Sequence, residues 1–215
     1  MLELGIKITL AYGLGAVMGG FLVGYFRGGV DLRTVGSGNV GGTNALRTQG
    51  KAFAFWVLLI DVGKGIAAAA LIPRLAIPGI GFDAEVDRDL LAYAVGYAAI
   101  VGHVFPVWFE FRGGKGGATA AGLLFYFAPW LAAPVIAVWL AVIFFTGYVG
   151  IATVSAAVLA AAYLGVTELN ERHAFVIFAT LVALLIVYTH RSNLRRTLDG
   201  TESRFGRYFG LKNRA

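Results

Sequence analysis

Two glycine-rich segments carry polar side chains whose types and spacing suit anion binding. The segment Gly36 to Arg47 combines glycines with hydroxyl and amide side chains and ends in an arginine. The segment Arg112 to Thr119 sets Lys115 among four glycines. Glycine allows successive backbone N–H groups to point into one concavity, and a cation adds a full charge, so both segments predict phosphate-binding loops. The candidate binding residues are Gly36, Gly38, Asn39, Gly41, Thr43, Asn44, Gly113, Gly114, Gly116, Gly117 and Thr119.

Neither segment matches a nucleotide-binding motif of soluble proteins. The first contains the pattern G-x-G-x-x-G, but that fingerprint requires a βαβ unit, whereas long apolar segments flank it here. The second is not a Walker A loop, because Gly116 follows Lys115 where that motif requires Ser or Thr. The alternatives are an interhelical turn for the first segment and a lipid-headgroup anchor for the second. A turn does not require this set of polar side chains, and an anchor does not require four glycines, so binding loops are favoured.

A third polar cluster begins at His190 and ends at Glu202. If the preceding helix continues, His190 and Asn193 lie three residues apart on one face and belong to a site at the membrane boundary. The alternative is a polybasic tail held to anionic lipid. For His190 and Asn193 both interpretations stay open, whereas the lipid-binding tail is favoured for Arg204, Arg207, Lys212 and Arg214.

Three further polar residues fall within apolar segments. Asp61 and Lys64 are spaced i, i+3, which allows mutual neutralisation, so a structural pair is favoured over a transport pathway. His103 lies near the end of an apolar run and could carry a proton, although a single histidine at a helix end is more typical of a packed, hydrogen-bonded residue.

The composition is that of an integral membrane protein, with 58% hydrophobic and 14% charged residues and a mean hydropathy of +0.75 over 215 residues. The absence of cysteine excludes disulfides, thiolate metal sites and acyl transfer through a cysteine. The net charge is +6, and the basic residues that cause it are mostly in loops. There they indicate membrane orientation and not a nucleic-acid partner. The sequence shows no carboxylate cluster for a metal, so neither metal nor cofactor is expected.

Hydropathy predicts an all-α, polytopic protein of seven transmembrane helices that form one domain over residues 1–215. The segment 118–146 is long for one span, and Pro129 and Pro134 predict that it turns there between two short helices. With two crossings, all three basic loops share one side, which the positive-inside rule makes cytoplasmic, with the N-terminus outside. A re-entrant hairpin for this pair is the alternative, and the first span is expected to be a retained anchor. The other predicted spans are Ile8 to Phe26, Ala52 to Ile72, Leu90 to Phe109, Tyr148 to Gly165 and Ala174 to Thr189.

Taken together, the three polar segments resemble the motifs of the bacterial acyl-phosphate:glycerol-3-phosphate acyltransferases, in the same order and over nearly the whole chain. The resemblance implies transfer of a fatty acyl group from acyl phosphate to glycerol-3-phosphate in the bacterial inner membrane, at a site facing the cytoplasm. It implies no cofactor, and a soluble enzyme that forms the acyl phosphate as a possible partner. By resemblance, the catalytic residues are Ser37, Arg47, Lys115, His190 and Asn193, while Glu202 maintains structure.

The chain departs from the family pattern at two places: Gly42 stands where alanine is common, and the segment 147–150 differs, so no catalytic role is expected there. The residues five positions beyond each histidine are Trp108, Phe178 and Arg195, and no G-x-S-x-G elbow occurs, which argues against acyl-CoA acyltransferases and serine hydrolases. The rival hypothesis is a small anion or organophosphate transporter, although such a site would be near the bilayer midplane. A peripheral lipid-binding scaffold would explain only the basic tail.

Overall fold

The computed structural model describes residues 1–206, and within this part of the chain nearly all regular structure is α-helical. A single bridge between Ile77 and Ile80 accompanies the helices. The all-α prediction is therefore confirmed. The helices are α1 (Leu2–Ala16), α2 (Gly19–Phe26), α3 (Gly42–Gln49), α4 (Lys51–Leu71), α5 (Arg88–Val104), α6 (Gly117–Phe127), α7 (Pro129–Thr146), α8 (Val149–Thr167) and α9 (His173–Leu198).

Five segments of the described chain are long and apolar enough to cross a bilayer, and α1 with α2 makes a sixth if this bent pair is one span. The apolar helix α6 is shorter. The chain is thus a multi-pass membrane protein, as its composition indicates. The number of crossings and the orientation of the termini stay predictions.

The first predicted span is not one straight helix, because α1 and α2 bend by 46° at Val17 and Met18. A break inside lipid needs partners for the freed backbone groups. Lys64 Nζ in α4 donates to the carbonyl oxygens of Gly15 and Val17, at 2.8 Å each. Asp61 Oδ1 accepts the N–H of Gly19 at 3.1 Å. Asp61 and Lys64 of α4 therefore satisfy both sides of the break.

The predicted turn at Pro129 to Pro134 is wrong in position, since the chain breaks at Ala128 and Pro129 begins α7. A proline suits the first turn of a helix, where its missing N–H has no intrahelical acceptor in any case. Pro134 lies inside α7. It removes only the hydrogen bond to the carbonyl of Trp130, near the helix start, and the helix continues.

The chain forms two compact units, residues 1–128 and residues from 129 onward. In the first unit, α1 packs on α5 and α4 packs on α6. Both contacts are close because glycines face backbone: a Cβ added at Gly15 would overlap the Ala99 carbonyl, and one at Gly65 would overlap the Thr119 carbonyl. In the second unit, α8 packs against both α7 and α9. The prediction of a single domain over 1–215 is a statement about folding and stays a prediction.

Candidate functional site

Asn44 holds the first glycine-rich loop in shape. Its side chain is buried, and its Nδ2 donates to the carbonyl oxygens of Leu32 and Val35 at 3.1 and 3.0 Å. Its Oδ1 accepts the N–H of Ser37 at 2.9 Å. Both amide hydrogens are thus donated to backbone, so in this conformation Asn44 has no donor left for a phosphate. In this conformation Asn44 positions the loop, and its binding role stays a prediction.

Gly36 and Ser37 form the exposed turn above that amide. Gly36 has a φ of 61°, and a Cβ there would overlap Asn44 Oδ1, so only glycine fits. Ser37 follows with an exposed side chain. Its hydroxyl makes no hydrogen bond within residues 1–206, which leaves it oriented by the loop alone. The turn therefore presents the predicted hydroxyl at the surface of the first unit.

The remaining predicted residues of this loop lie on or beside α3. Thr43 and Arg47 are half-buried and spaced i, i+4, so they share one face of the helix. Asn39 Oδ1 accepts the N–H of Gly41 at 3.0 Å, just before the helix begins. The structure thus brings a hydroxyl and a guanidinium onto one short helix that the loop leads into.

An aromatic contact that the sequence analysis missed joins the parts of the chain that precede the two glycine-rich segments. Phe21 of α2 stacks on Phe109 with ring centroids 3.8 Å apart, and the guanidinium of Arg33 lies 4.8 Å from the Phe21 ring and 5.8 Å from the Phe109 ring. Arg33 also pairs with Asp31 at 2.7 Å, which lowers the pKa of the Asp31 carboxyl and raises the pKa of Arg33. Both loops are therefore at the same end of the first unit. Only the aromatic residues beside the loops could have signalled this from sequence.

The second loop is anchored to the C-terminal end of α5. The N–H of Gly113 donates to the carbonyl of Val104, and the N–H of Gly114 donates to the carbonyl of His103, at 3.0 Å each. These two N–H groups were predicted to bind phosphate, but in this conformation both are used by the backbone. In this conformation they fix the loop, and their role in phosphate binding stays a prediction.

The anion-binding capacity of this loop resides where α6 begins. Gly116, with a φ of 81°, precedes the first residue of α6, Gly117. The first N–H groups of a helix have no intrahelical acceptor and carry the positive end of its dipole. Lys115 is half-buried beside them. Thr119 is fully buried, and within the described chain its hydroxyl has no hydrogen-bond partner. Lys115 and this helix start are therefore the strongest candidates for holding a phosphate.

Below this loop lies a buried cluster of Asp61, Lys64 and His103. Lys64 Nζ is 3.0 Å from Asp61 Oδ1 and 2.8 Å from His103 Nδ1. All three side chains are at most 5% exposed. The pairing of Asp61 with Lys64 matches the spacing seen in the sequence, while the contact with His103, thirty-nine residues away along the chain, was not anticipated.

In the second unit, α9 continues through the polar cluster to Leu198, so His190 and Asn193 share one helical face. His190 is 6% exposed, and its Nδ1 lies 2.8 Å from the carbonyl oxygen of Ile186. Because a carbonyl oxygen only accepts, Nδ1 must carry the proton. In the neutral form of the ring the lone pair is then on Nε2, which is the state a general base requires.

The side chain of Asn193 is held by Glu202, which follows α9. Its Nδ2 donates to Glu202 Oε1 at 3.0 Å, and Arg196 Nε donates to Glu202 Oε2 at 2.7 Å. The carboxylate of Glu202 therefore fixes the orientation of the Asn193 amide. The predicted tail residues Arg207, Lys212 and Arg214 lie outside the described residues.

The segment 147–150, on which no role was placed, contacts this third cluster. A Cβ added at Gly150 would lie 2.8 Å from Asn193 Cβ. The N–H of Phe205 donates to the Gly147 carbonyl at 2.7 Å, and Arg204 Nε lies 3.4 Å from Tyr148 Oη. Two glycines spaced three apart at a helix start are the signal that could have indicated a close contact here.

The helices and their polar loops define a multi-pass helical membrane protein. A family model described as glycerol-3-phosphate acyltransferase matches residues 5–200. The chain belongs to this family of membrane acyltransferases.

Relatives and solved structures agree over nearly the full length. The glycerol-3-phosphate acyltransferase of Chlorobium phaeobacteroides is 36% identical, over 97% of this chain and all of its own length. That of Desulforamulus reducens is 36% identical over 91% of this chain and 92% of its own. The crystal structure of PlsY (YgiH) in its glycerol 3-phosphate form matches with a TM-score of 0.81 and 35% identity, covering 98% of this chain and 99% of that one. A second PlsY structure, in a lysophosphatidic acid form, matches with a TM-score of 0.78 and 33% identity.

The first loop offers a test of the role of Asn44. Asn44→Asp keeps an acceptor for the Ser37 N–H but cannot donate to Leu32 and Val35. We expect the free energy of unfolding to fall by about 1–3 kcal/mol, because buried carbonyls lose their partners. Thermal unfolding in detergent measures this loss. Gln49→Glu, the same change at an exposed position at the end of α3, is the matched control, and equal melting of the two variants would contradict the assigned role.

Proposed function

We propose that the chain transfers a fatty acyl group from acyl phosphate to the 1-hydroxyl of glycerol-3-phosphate, giving lysophosphatidic acid and phosphate, the first step of phospholipid synthesis. The observation that carries the proposal is the full-length likeness to PlsY, whose structures are described with glycerol 3-phosphate and lysophosphatidic acid. Both substrates bear a phosphate, which suits a chain with two cationic glycine-rich loops. The acyl chain of the donor can lie among the membrane helices.

The donor chemistry requires alignment more than covalent catalysis. An acyl phosphate is a mixed anhydride, so the acceptor oxygen attacks the carbonyl carbon, the bond from that carbon to the phosphate oxygen breaks, and phosphate leaves. The chain has no cysteine and no nucleophile elbow, which favours direct attack over an acyl-enzyme. Holding both phosphates converts a bimolecular encounter into an oriented reaction.

Each loop of the first unit has a role in this scheme. Arg47 and Lys115 bind phosphate oxygens, and the start of α6 adds N–H donors at Gly116 and Gly117. Ser37 and Thr43 donate hydrogen bonds from their hydroxyls. Donors aimed at the oxygen that gains negative charge during attack lower the barrier.

His190 is the proposed general base. With Nδ1–H donated to the Ile186 carbonyl, Nε2 receives the proton of the attacking hydroxyl. Asn193, oriented by Glu202, binds the acceptor. A phosphate oxygen of the substrate is the alternative base.

We propose seven crossings, an external N-terminus and a cytoplasmic C-terminus, in the bacterial inner membrane, with the active site facing the cytoplasm. The placement of both glycine-rich loops at one end of the first unit supports this orientation, because both are basic. The helix α6 spans only about 16 Å at about 1.5 Å per residue, so it must cross packed among its neighbours. The basic cytoplasmic face is also the side on which a soluble acyl-phosphate-forming enzyme would dock.

The reaction is tested with purified protein, labelled glycerol-3-phosphate and three separate donors: palmitoyl phosphate, palmitoyl-CoA and palmitoyl carrier protein. We expect lysophosphatidic acid from the acyl phosphate alone, and loss of product in Arg47→Ala and Lys115→Ala, because each removes a phosphate-binding cation. Product from a thioester would contradict the donor assignment. No product from any donor, with uptake of glycerol-3-phosphate into proteoliposomes, would establish the transporter instead.

The role of His190 is tested by His190→Ala and His190→Gln. We expect kcat to fall by about 10²–10⁴, the usual contribution of a general base, with a smaller change in KM. His173→Ala is the matched control, since this exposed histidine lies at the opposite end of α9. If His190→Ala keeps most of its activity, a substrate phosphate oxygen is the base.

The topology is tested with a reporter fused after Gly147, which we expect on the cytoplasmic side because the segment 118–146 crosses twice. A reporter inserted at Gly79, between the fourth and fifth helices, is expected outside and serves as the control. An external reporter at Gly147 would overturn the topology.

A further inference from the structure

His103 contacts a buried charge cluster on one side and the second glycine-rich loop on the other. It lies in the last turn of α5, and its side chain is 3% exposed. The proposed reaction makes no use of it. A buried histidine between an ammonium group and a proposed phosphate-binding loop therefore requires a physical reason.

The lysine determines which ring nitrogen of His103 carries the proton. Lys64 Nζ lies 2.8 Å from His103 Nδ1, from the Gly15 carbonyl and from the Val17 carbonyl. An ammonium group has only N–H donors and no acceptor, so a ring nitrogen that faces it at this distance accepts. This makes His103 a neutral ring with its proton on Nε2. Asp61 Oδ1, 3.0 Å from Lys64 Nζ and 3.5 Å from His103 Nδ1, is the fourth polar atom around the ammonium group and balances its charge.

The protonated edge of the ring lies against the loop. A Cβ added at Gly114 would overlap His103 Nε2, so the loop backbone rests directly on this nitrogen. The carbonyl of His103 also accepts the N–H of Gly114 at 3.0 Å. His103 thus contacts Gly114 through both its ring and its backbone, one residue before Lys115 and two before Gly116.

We propose that His103, held in its Nε2-protonated form by Lys64, is a positioning residue that sets the height and direction of the phosphate-binding loop. The position of Gly114 against the ring determines where Lys115 and the first N–H groups of α6 lie. The inference rests on the proposed function, since the ligand of this loop is taken to be a substrate phosphate.

The two contacts explain why this position requires histidine. An apolar side chain would take the Nδ1 acceptor away from the buried ammonium group, whose remaining polar neighbours are the Gly15 and Val17 carbonyls and Asp61. An asparagine places Oδ1 where Nδ1 stands and satisfies Lys64, but it lacks the ring atoms beneath Gly114. His103→Asn therefore removes the contact with Gly114 while it keeps an acceptor for Lys64.

The experiment uses the full chain in detergent and compares His103→Asn, Gly114→Ala and the double variant. Affinities for glycerol-3-phosphate and for inorganic phosphate are measured by calorimetry, together with KM, kcat and the melting temperature. Gly13→Ala is the matched control for an added methyl group, because nothing lies within 4 Å of a Cβ at that position of α1.

For His103→Asn we expect a melting temperature close to that of the wild type and an affinity about tenfold weaker for whichever of the two ligands the loop holds. KM for the matching substrate rises in parallel. Gly114→Ala weakens binding in the wild-type background but adds little in the His103→Asn background, because the atoms that its methyl group overlaps are gone.

The inference is overturned if His103→Asn keeps wild-type affinity for both ligands, or if Gly114→Ala costs the same in both backgrounds. Lowered melting with unchanged affinity would make His103 a stability residue only. A wild-type protein that binds glycerol-3-phosphate without turnover of any donor contradicts the proposed function alone. A wild-type protein that binds neither ligand contradicts both.

Discussion

The hydrogen bonds of the Lys64 ammonium group hold the break between α1 and α2 together, and the rest of the first unit is built around them. The bend between α1 and α2 leaves carbonyls without intrahelical donors in a part of the chain that lies in lipid, where no water can replace them. Lys64 donates to two of these carbonyls, and Asp61 accepts from the other side of the break. The same ammonium group contacts His103 beneath the second loop. A buried charge that would be unfavourable alone is thereby neutralised and fully hydrogen-bonded.

Close packing through glycine places the polar loops relative to this cluster. Helices in lipid gain no hydrophobic free energy by association, so they approach until backbones touch. The glycine contacts of α1 with α5 and of α4 with α6 bring the end of α5 and the start of α6 to the cluster, where the second loop connects them. Residues 105–116 form this connection, and the Phe21–Phe109 stack holds α2, which precedes the first loop, against it.

The sequence predicts the helical membrane fold and the motifs, but not how the motif residues divide their roles. Hydropathy is a property of whole segments, so the spans are readable from it. The break at Ala128 is not, because Pro129 is compatible both with a turn and with the first position of a helix. Asn44, Gly113 and Gly114 have the composition of ligand-binding residues, yet their hydrogen-bonding groups are used within the loops. Whether such a residue binds a ligand or holds the loop depends on its hydrogen-bond partners, which residue spacing does not specify.

The two buried histidines show how a contact decides the chemistry of a side chain. Nδ1 of His103 faces an ammonium group, which can only donate, so the proton is on Nε2 and the ring supports a backbone. Nδ1 of His190 faces a carbonyl, which can only accept, so Nδ1 carries a proton and the neutral ring has its lone pair on Nε2. His103 ends an apolar run and His190 begins a polar cluster, but neither sequence setting specifies which ring nitrogen carries the proton. The partner at Nδ1 therefore determines whether Nε2 of the neutral ring donates or accepts, which suits His103 to the proposed positioning role and His190 to the proposed role of base.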